Sequence, residues 1–100
     1  MTNSEIPAHP IESSEILPRL NAYLRLRYAL KLNPARIAAT NANVIDAKRA
    51  AFSLYLRVAK EQVFWPRGTI VIARIFFSKT RQGNGRSLVQ FLTEVARELD

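Results

Sequence analysis

The chain of 100 residues contains no cysteine and a single histidine. The lack of cysteine excludes disulfide bonds and thiolate metal sites, and it is compatible with a cytoplasmic protein. The histidine, His9, lies in a proline-containing segment with Glu5 and Glu12 nearby. These ligands are too few and too mobile for a metal centre, and no serine–histidine–aspartate triad can be assembled without His9 in the core. We therefore expect no metal site and no hydrolase of the triad type.

Long apolar runs are also missing. No run approaches the roughly 20 residues of a membrane span, and residues 1–14 are polar and acidic, unlike a signal peptide. The apolar content of 48%, with 3 glycines and 5 prolines, is typical of a folded domain. We expect a soluble cytoplasmic protein with one domain over residues 13–100, preceded by a flexible arm over residues 1–12.

Acidic residues are absent from two stretches of a chain whose net charge is +7. One stretch lies between Glu15 and Asp46, and the other lies between Glu61 and Glu94. If the basic residues of both stretches meet in the fold, they form a surface that attracts nucleic acid, CoA phosphates or an acidic protein. The candidates for a nucleic-acid or protein-partner surface are Arg25, Arg27, Lys31, Lys48 and Arg49.

The first two thirds of the chain predict helices. A first helix is expected from Ser13 or Ser14 to the Asn33-Pro34 pair, because its apolar residues recur at helical spacing. A helical turn over residues 35–39 and a longer helix from Asn41 or Asn43 to about residue 62 should follow. The core-facing residues of the first helix would be Leu17, Leu20, Leu24 and Tyr28, and those of the longer helix Val44, Ala47, Ala51, Leu54, Tyr55 and Val58.

Residues 69–77 are rich in β-branched and aromatic residues and predict a strand. Both of its faces are apolar except at Arg74, which favours an interior strand. Its partner would be the amino-terminal arm, residues 63–65, a second copy in a dimer, or another protein. Helical spacing returns after Gly85, with Leu88, Leu92, Val95 and Leu99 on one side. The predicted fold class is α+β, a small helix-rich domain in the order helix, helix, strand, helix.

A glycine-rich loop joins this strand to this helix, with the sequence Thr-Arg-Gln-Gly-Asn-Gly-Arg over residues 80–86. Two glycines separated by one residue allow a tight turn with exposed N–H groups, and the positive end of the helix dipole lies at the same place. The pattern therefore predicts an anion-binding loop. A β-branched residue in place of Gly83 or Gly85 is expected to abolish binding through backbone strain.

This strand, loop and helix resemble the GNAT superfamily of N-acetyltransferases over residues 70–98. In that family the pattern Gln/Arg-x-x-Gly-x-Gly/Ala lies between the fourth strand and the following helix. The resemblance implies that backbone N–H groups of the loop bind the pyrophosphate of acetyl-CoA and that the strand end pairs with the pantetheine arm. The residues it implies for the cofactor are Ile75, Phe77, Arg81, Gln82, Gly83, Asn84, Gly85 and Arg86.

Thr80 and Phe77 occupy positions where the family often has glutamine or arginine, and proline. Complete members continue with another strand, a helix whose tyrosine often acts as a general acid, and two final strands, whereas this sequence ends at Asp100. The resemblance thus implies an acetyl-CoA-binding protein of truncated fold, and an N-acetyltransferase acting on an amine if it is active. Glu61 and Glu94 are the acids available near the loop as a general base.

Two other functions are compatible with the sequence. The first two predicted helices could form a helix-turn-helix in which Arg49, Arg57 and Lys60 contact the phosphate backbone of nucleic acid. The domain could also be an inhibitor or adaptor that binds an acidic protein. A positive surface centred on the Gly83 loop would favour CoA, whereas one centred on Arg25, Arg27, Lys48 and Arg49 would favour nucleic acid.

Overall fold

The computed structural model of the chain describes residues 12–59, 69–79 and 82–99. It confirms the α+β class, with a helix at each end of the described part and an antiparallel sheet between them. Neither described helix combines the length and the apolar character that a membrane span requires. The elements are α1 (Ser13–Tyr28), β1 (Ala35–Ala38), β2 (Asn41–Arg49), β3 (Phe52–Val58), β4 (Ile70–Phe77) and α2 (Asn84–Leu99).

The four strands follow one another in the sheet in chain order, β1-β2-β3-β4, and each pair is antiparallel. Two-residue turns join β1 to β2 and β2 to β3. Both helices contribute to one core with the alternate residues of β3, so they cover the same face of the sheet. The buried apolar residues of β3 are Phe52, Leu54, Leu56 and Val58.

The predicted helices over residues 35–39 and 41–62 are wrong, because β1, β2 and β3 occupy this part of the described chain. Alternation of apolar and polar residues from Phe52 to Val58 matches the two-residue period of a strand. The alanines and the i, i+3, i+4 spacing of Val44, Ala47 and Ala51 match a helix equally well. The burial of Ile45, Phe52 and Leu56 decides between the two, because the strands bury these residues whereas the predicted helix would have left them outside its buried side.

The strand over residues 69–77 is confirmed as β4, but its predicted interior position is wrong. β4 is the last strand of the sheet, and several of its residues, including Ile75 and Phe76, are exposed. Its partner is β3, which pairs with it from Phe52↔Phe77 to Val58↔Ile70. None of the four predicted partners supplies this pairing, because the partner strand lies inside the segment that was expected to be helical. A dimer is therefore not required to pair the inner edge of β4.

Both terminal helices begin where the sequence predicts. Glu12, rather than Ser13 or Ser14, caps α1 through reciprocal hydrogen bonds with Glu15. The hydroxyl of Ser13 instead donates a hydrogen bond to the carbonyl of Ala42, which ties α1 to β2. In α1, Leu20 and Leu24 are buried as expected, together with Ile16 and Asn21, and in α2 the buried residues are Leu88, Leu92 and Val95.

Candidate anion-binding site at the loop between β4 and α2

A cavity of about 370 Å³ lies where the end of β4 meets the start of α2. The end of α1 and the turn between β2 and β3 complete its wall. Among the described residues that line it, none is acidic and two are cations. The lining residues are Arg27, Tyr28, Ala51, Ser78, Lys79, Gln82 and Asn84.

The backbone turns sharply into α2 at Gly83, whose φ is +74°. This value lies in the left-handed region, where a side chain would be strained and glycine is favoured. The N–H of Ser87 donates to the carbonyl of Gly83 at 2.9 Å, which opens the hydrogen-bond ladder of α2. The N–H groups that precede Ser87 in the first turn have no acceptor within the helix, so this end of α2 attracts anions.

The side chain of Asn84 holds the loop and the end of α1 together. Its Oδ1 accepts hydrogen bonds from Arg27 Nε at 3.1 Å, from Arg27 Nη2 at 3.0 Å and from the Tyr28 hydroxyl at 3.0 Å. Its Nδ2 donates to the carbonyl of Lys79 at 3.1 Å. The guanidinium of Arg27 is therefore fixed beside the start of α2 while three of its five N–H donors are not used by Asn84.

Tyr28 forms the inner wall of the cavity and packs on the buried ring of Phe52, with 4.8 Å between the ring centroids. Burial raises the pKa of the Tyr28 phenol above its ordinary value of 10.0, and the hydrogen bond to Arg27 and the charge of Arg27 partly oppose this shift. The phenol is thus held in its neutral, hydrogen-bonding form.

The raised pKa of Tyr28 predicts a loss of stability at high pH. The unfolded chain loses its phenolic proton first, so the stability present below about pH 10 falls as the pH rises through the folded pKa. Tyr28→Phe should show a smaller fall in the free energy of unfolding, measured by urea denaturation between about pH 8 and pH 11. Tyr55→Phe, on the opposite face of the sheet, is the control. An equal fall in wild type and Tyr28→Phe would contradict the prediction.

The residues predicted from the glycine loop are brought together in part. Gln82 and Asn84 line the cavity, and Gly83, Gly85 and Arg86 form the turn and first residues of α2. Arg81 lies outside the described residues. Ile75 and Phe77 pair with Leu54 and Phe52 at the end of β4, just before the chain enters the loop.

The residues of the predicted nucleic-acid surface come from α1, from the connection after it and from β2. Arg27 joins the glycine loop, so the two basic stretches do meet there. Lys48 lies on β2, and Arg49 donates to the carbonyls of Lys48 and Asn33. Arg25 and Lys31 are exposed near the end of α1. The helix-turn-helix prediction is wrong because Arg49 and Arg57 lie on strands, and Lys60 falls outside the described residues.

Sequence reasoning missed Tyr28 as a site residue and left Lys79 out of the predicted set. Lys79 adjoins the glycine loop, so its position next to the anion site could have been found from the sequence. Tyr28 was predicted as a core residue, and only the docking of α1 beside α2 places its hydroxyl on Asn84. Glu94 lines a groove between the two helices, and Glu61 lies outside the described residues.

Comparisons with protein-family models, with curated proteins and with solved structures found no match to this chain.

Proposed function

We propose that this domain binds acetyl-CoA or CoA, with the pyrophosphate at the loop between β4 and α2. One observation carries the proposal: the start of α2, Arg27 and Lys79 converge on a single cavity at the end of the fourth strand. The resemblance to N-acetyltransferases implies a pyrophosphate at this same place, between the fourth strand and the following helix. Such a ligand also fits a cytoplasmic location.

The space around both glycines is suited to a phosphate group. A Cβ atom built on Gly83 or Gly85 would meet nothing within 4 Å, so a ligand can approach the backbone there. Bidentate binding of a phosphate by the Arg27 guanidinium is compatible with its two bonds to Asn84. The cavity volume lies in the range of about 300–1,000 Å³ that small-molecule sites occupy.

The position of β4 at the edge of the sheet suits the pantetheine arm of CoA. β4 is one of the two edge strands of the described sheet, so its outer backbone groups face away from β3. An extended amide chain such as pantetheine can pair with an exposed strand edge through main-chain hydrogen bonds. In this arrangement the pantetheine arm follows the backbone of Ile75 and Phe77 while the pyrophosphate stays at the loop.

The proposal concerns binding rather than acetyl transfer. Transfer to an amine needs a base within hydrogen-bond reach of the acceptor. Glu94 lies ten residues along α2 from Asn84, which corresponds to about 15 Å along the helix axis. This distance separates the carboxylate from the pyrophosphate, whereas a base would have to lie at the other end of the pantetheine arm, beside the acetyl group.

Gly85→Ala should separate ligand binding from folding. Only Gly83 has a positive φ, so the expected backbone strain applies to Gly83 and not to Gly85. The alanine methyl at position 85 should leave the fold intact or stabilise it by up to about 1 kcal/mol. The same methyl projects into the space that a phosphate would use. We expect the acetyl-CoA affinity, measured by isothermal titration, to fall by about tenfold or more, which corresponds to about 1.4 kcal/mol.

Arg27→Ala should weaken acetyl-CoA binding. The affinity of this variant should also fall less steeply with salt concentration than that of wild type, because one cation no longer contacts the ligand. Gln90→Ala, at an exposed position on α2, is the matched control and should bind as wild type does. Undetectable binding of acetyl-CoA by the wild-type protein, or unchanged binding by Gly85→Ala, would overturn the proposal. Titration with ADP tells whether the pantetheine arm contributes to the affinity.

A further inference from the structure

The face of the sheet that points away from α1 and α2 carries basic and aromatic side chains. The core residues of β3 alternate with Ser53, Tyr55 and Arg57, which therefore project to this second face. The strand pairing extends it across the neighbouring strands, and we call it the open face. It comprises Arg36, Val44, Asp46, Lys48, Ser53, Tyr55, Arg57, Val71, Arg74 and Phe76.

The register arranges these residues in rows across the strands. One row is Arg36, Asp46, Tyr55 and Arg74, with one residue from each strand. The next row is Lys48, Ser53 and Phe76. Since adjacent strands lie about 4.8 Å apart, Tyr55 and Phe76 are diagonal neighbours on β3 and β4. Two aromatic residues thus occupy diagonal positions, with cations at the neighbouring positions of the same face.

The charge of the open face is strongly positive. Among the described residues of this face, four are cations, Arg36, Lys48, Arg57 and Arg74, all of them exposed, and one is a carboxylate, Asp46. The guanidinium of Arg36 lies 3.9 Å from Asp46, and the Arg36 side chain is 81% exposed. The remaining three cations are in excess over the acid on this face. Such a surface attracts a polyanion.

The aromatic side chains of the open face lie outside the core and are positioned to stack with a ligand. Phe76 is 56% exposed although it is a large apolar residue. Tyr55 is half-buried, and the guanidinium of Arg74 lies 5.4 Å from the centre of its ring. Val44, at one corner of this face, is buried, whereas Arg57, Arg74 and Phe76 on β3 and β4 are exposed. Exposed aromatic rings beside arginines are the feature that binds unpaired bases.

We propose that the open face binds single-stranded nucleic acid. A base stacks on Phe76, beside the Tyr55 ring that the Arg74 guanidinium covers, and Lys48, Arg57 and Arg74 supply the positive charge for the phosphates. A duplex fits this face poorly because its bases are already stacked and a broad sheet does not enter a groove. The site lies on the opposite side of the sheet from the helices, so it is independent of acetyl-CoA binding. It shares Lys48 with the basic surface predicted from the sequence and Arg57 with the predicted helix-turn-helix.

The test is fluorescence anisotropy of labelled single-stranded oligonucleotides of about 12 nucleotides, DNA and RNA, with the corresponding duplex for comparison. We expect saturable binding that is tighter for the single strands and weaker at higher salt. Phe76→Ala should lower the single-strand affinity roughly tenfold or more while the melting temperature stays close to that of wild type. Arg74→Gln should reduce the slope of log affinity against log salt by about one.

Arg25→Gln is the matched control, because it removes the same charge from an exposed position on α1 and should leave the salt slope nearly unchanged. Gly85→Ala should bind the oligonucleotide as wild type does, which separates this proposal from the first. Equal effects of Arg25→Gln and Arg74→Gln, or unchanged binding by Phe76→Ala, would overturn the assignment to the open face. Tighter binding of polyglutamate than of oligonucleotides would instead identify an acidic protein as the partner and overturn the proposal.

Discussion

Phe52→Ala should lower the free energy of unfolding by about 3–5 kcal/mol. Phe52 is fully buried at the start of β3 and lies opposite Arg49 on β2 and Phe77 on β4. Its ring also packs on Tyr28, so it joins the core to the cavity wall. Loss of the ring removes its burial from water and leaves a cavity that the surrounding strands cannot close.

Phe76→Ala is the control for this prediction. Phe76 lies on β4, one residue from the partner of Phe52, but it projects to the open face and is 56% exposed. Its loss should change stability by no more than about 0.5 kcal/mol. Urea denaturation of both variants measures the difference. Losses of similar size would contradict the assignment of these two side chains to opposite faces of the sheet.

Asn21→Ala should lower the free energy of unfolding by about 2–4 kcal/mol, because it leaves two buried backbone groups without their partner. Asn21 is 5% exposed in α1. Its Nδ2 donates to the carbonyl of Ala35 at 3.1 Å, and its Oδ1 accepts from the N–H of Ala35 at 2.7 Å. The side chain thus continues the sheet's hydrogen bonding at the first residue of β1 and joins α1 to that strand.

The measurement for Asn21→Ala combines urea denaturation with amide hydrogen exchange at Ala35, which should become much faster than in wild type. Asn33→Ala, at an exposed position in the connection from α1 to β1, should change stability by no more than about 0.5 kcal/mol. Slow exchange at Ala35 in the Asn21→Ala protein would show that the side chain does not hold the strand.

Strong local patterns made the ends of the fold predictable. The β-branched run over residues 69–77 and the helical spacing after Gly85 correspond to β4 and α2. The middle of the chain was not predictable in the same way, because its apolar residues satisfy both helical and strand periods. The edge position of β4 also escaped prediction. An apolar strand is predicted to be interior when the other strands of the sheet have not been recognised. Phe76 favoured that prediction because it is apolar, although the structure exposes it.

The part of the candidate site that is formed by consecutive residues was predicted from the sequence. The two glycines and the change of period identify the loop and the start of α2. Arg27 and Tyr28 come from α1, 57 and 56 positions before Asn84, and their hydrogen bonds to it depend on how the helices pack. No nearby pattern signals such a contact, and the same holds for the bonds between Asn21 and Ala35.

The amino-acid sequence by itself determined the α+β class, the two helices, β4, the glycine turn and the excess of positive charge, because each of these follows from composition or from local periodicity. Only the tertiary structure decided that the middle of the chain forms strands and that Arg27, Lys79 and the start of α2 surround one cavity. It also decided that Tyr55, Arg74 and Phe76 share a face. These features depend on strand register and helix docking. Both are set by the burial of apolar area between segments that are distant in the chain, so neither can be derived from one segment alone.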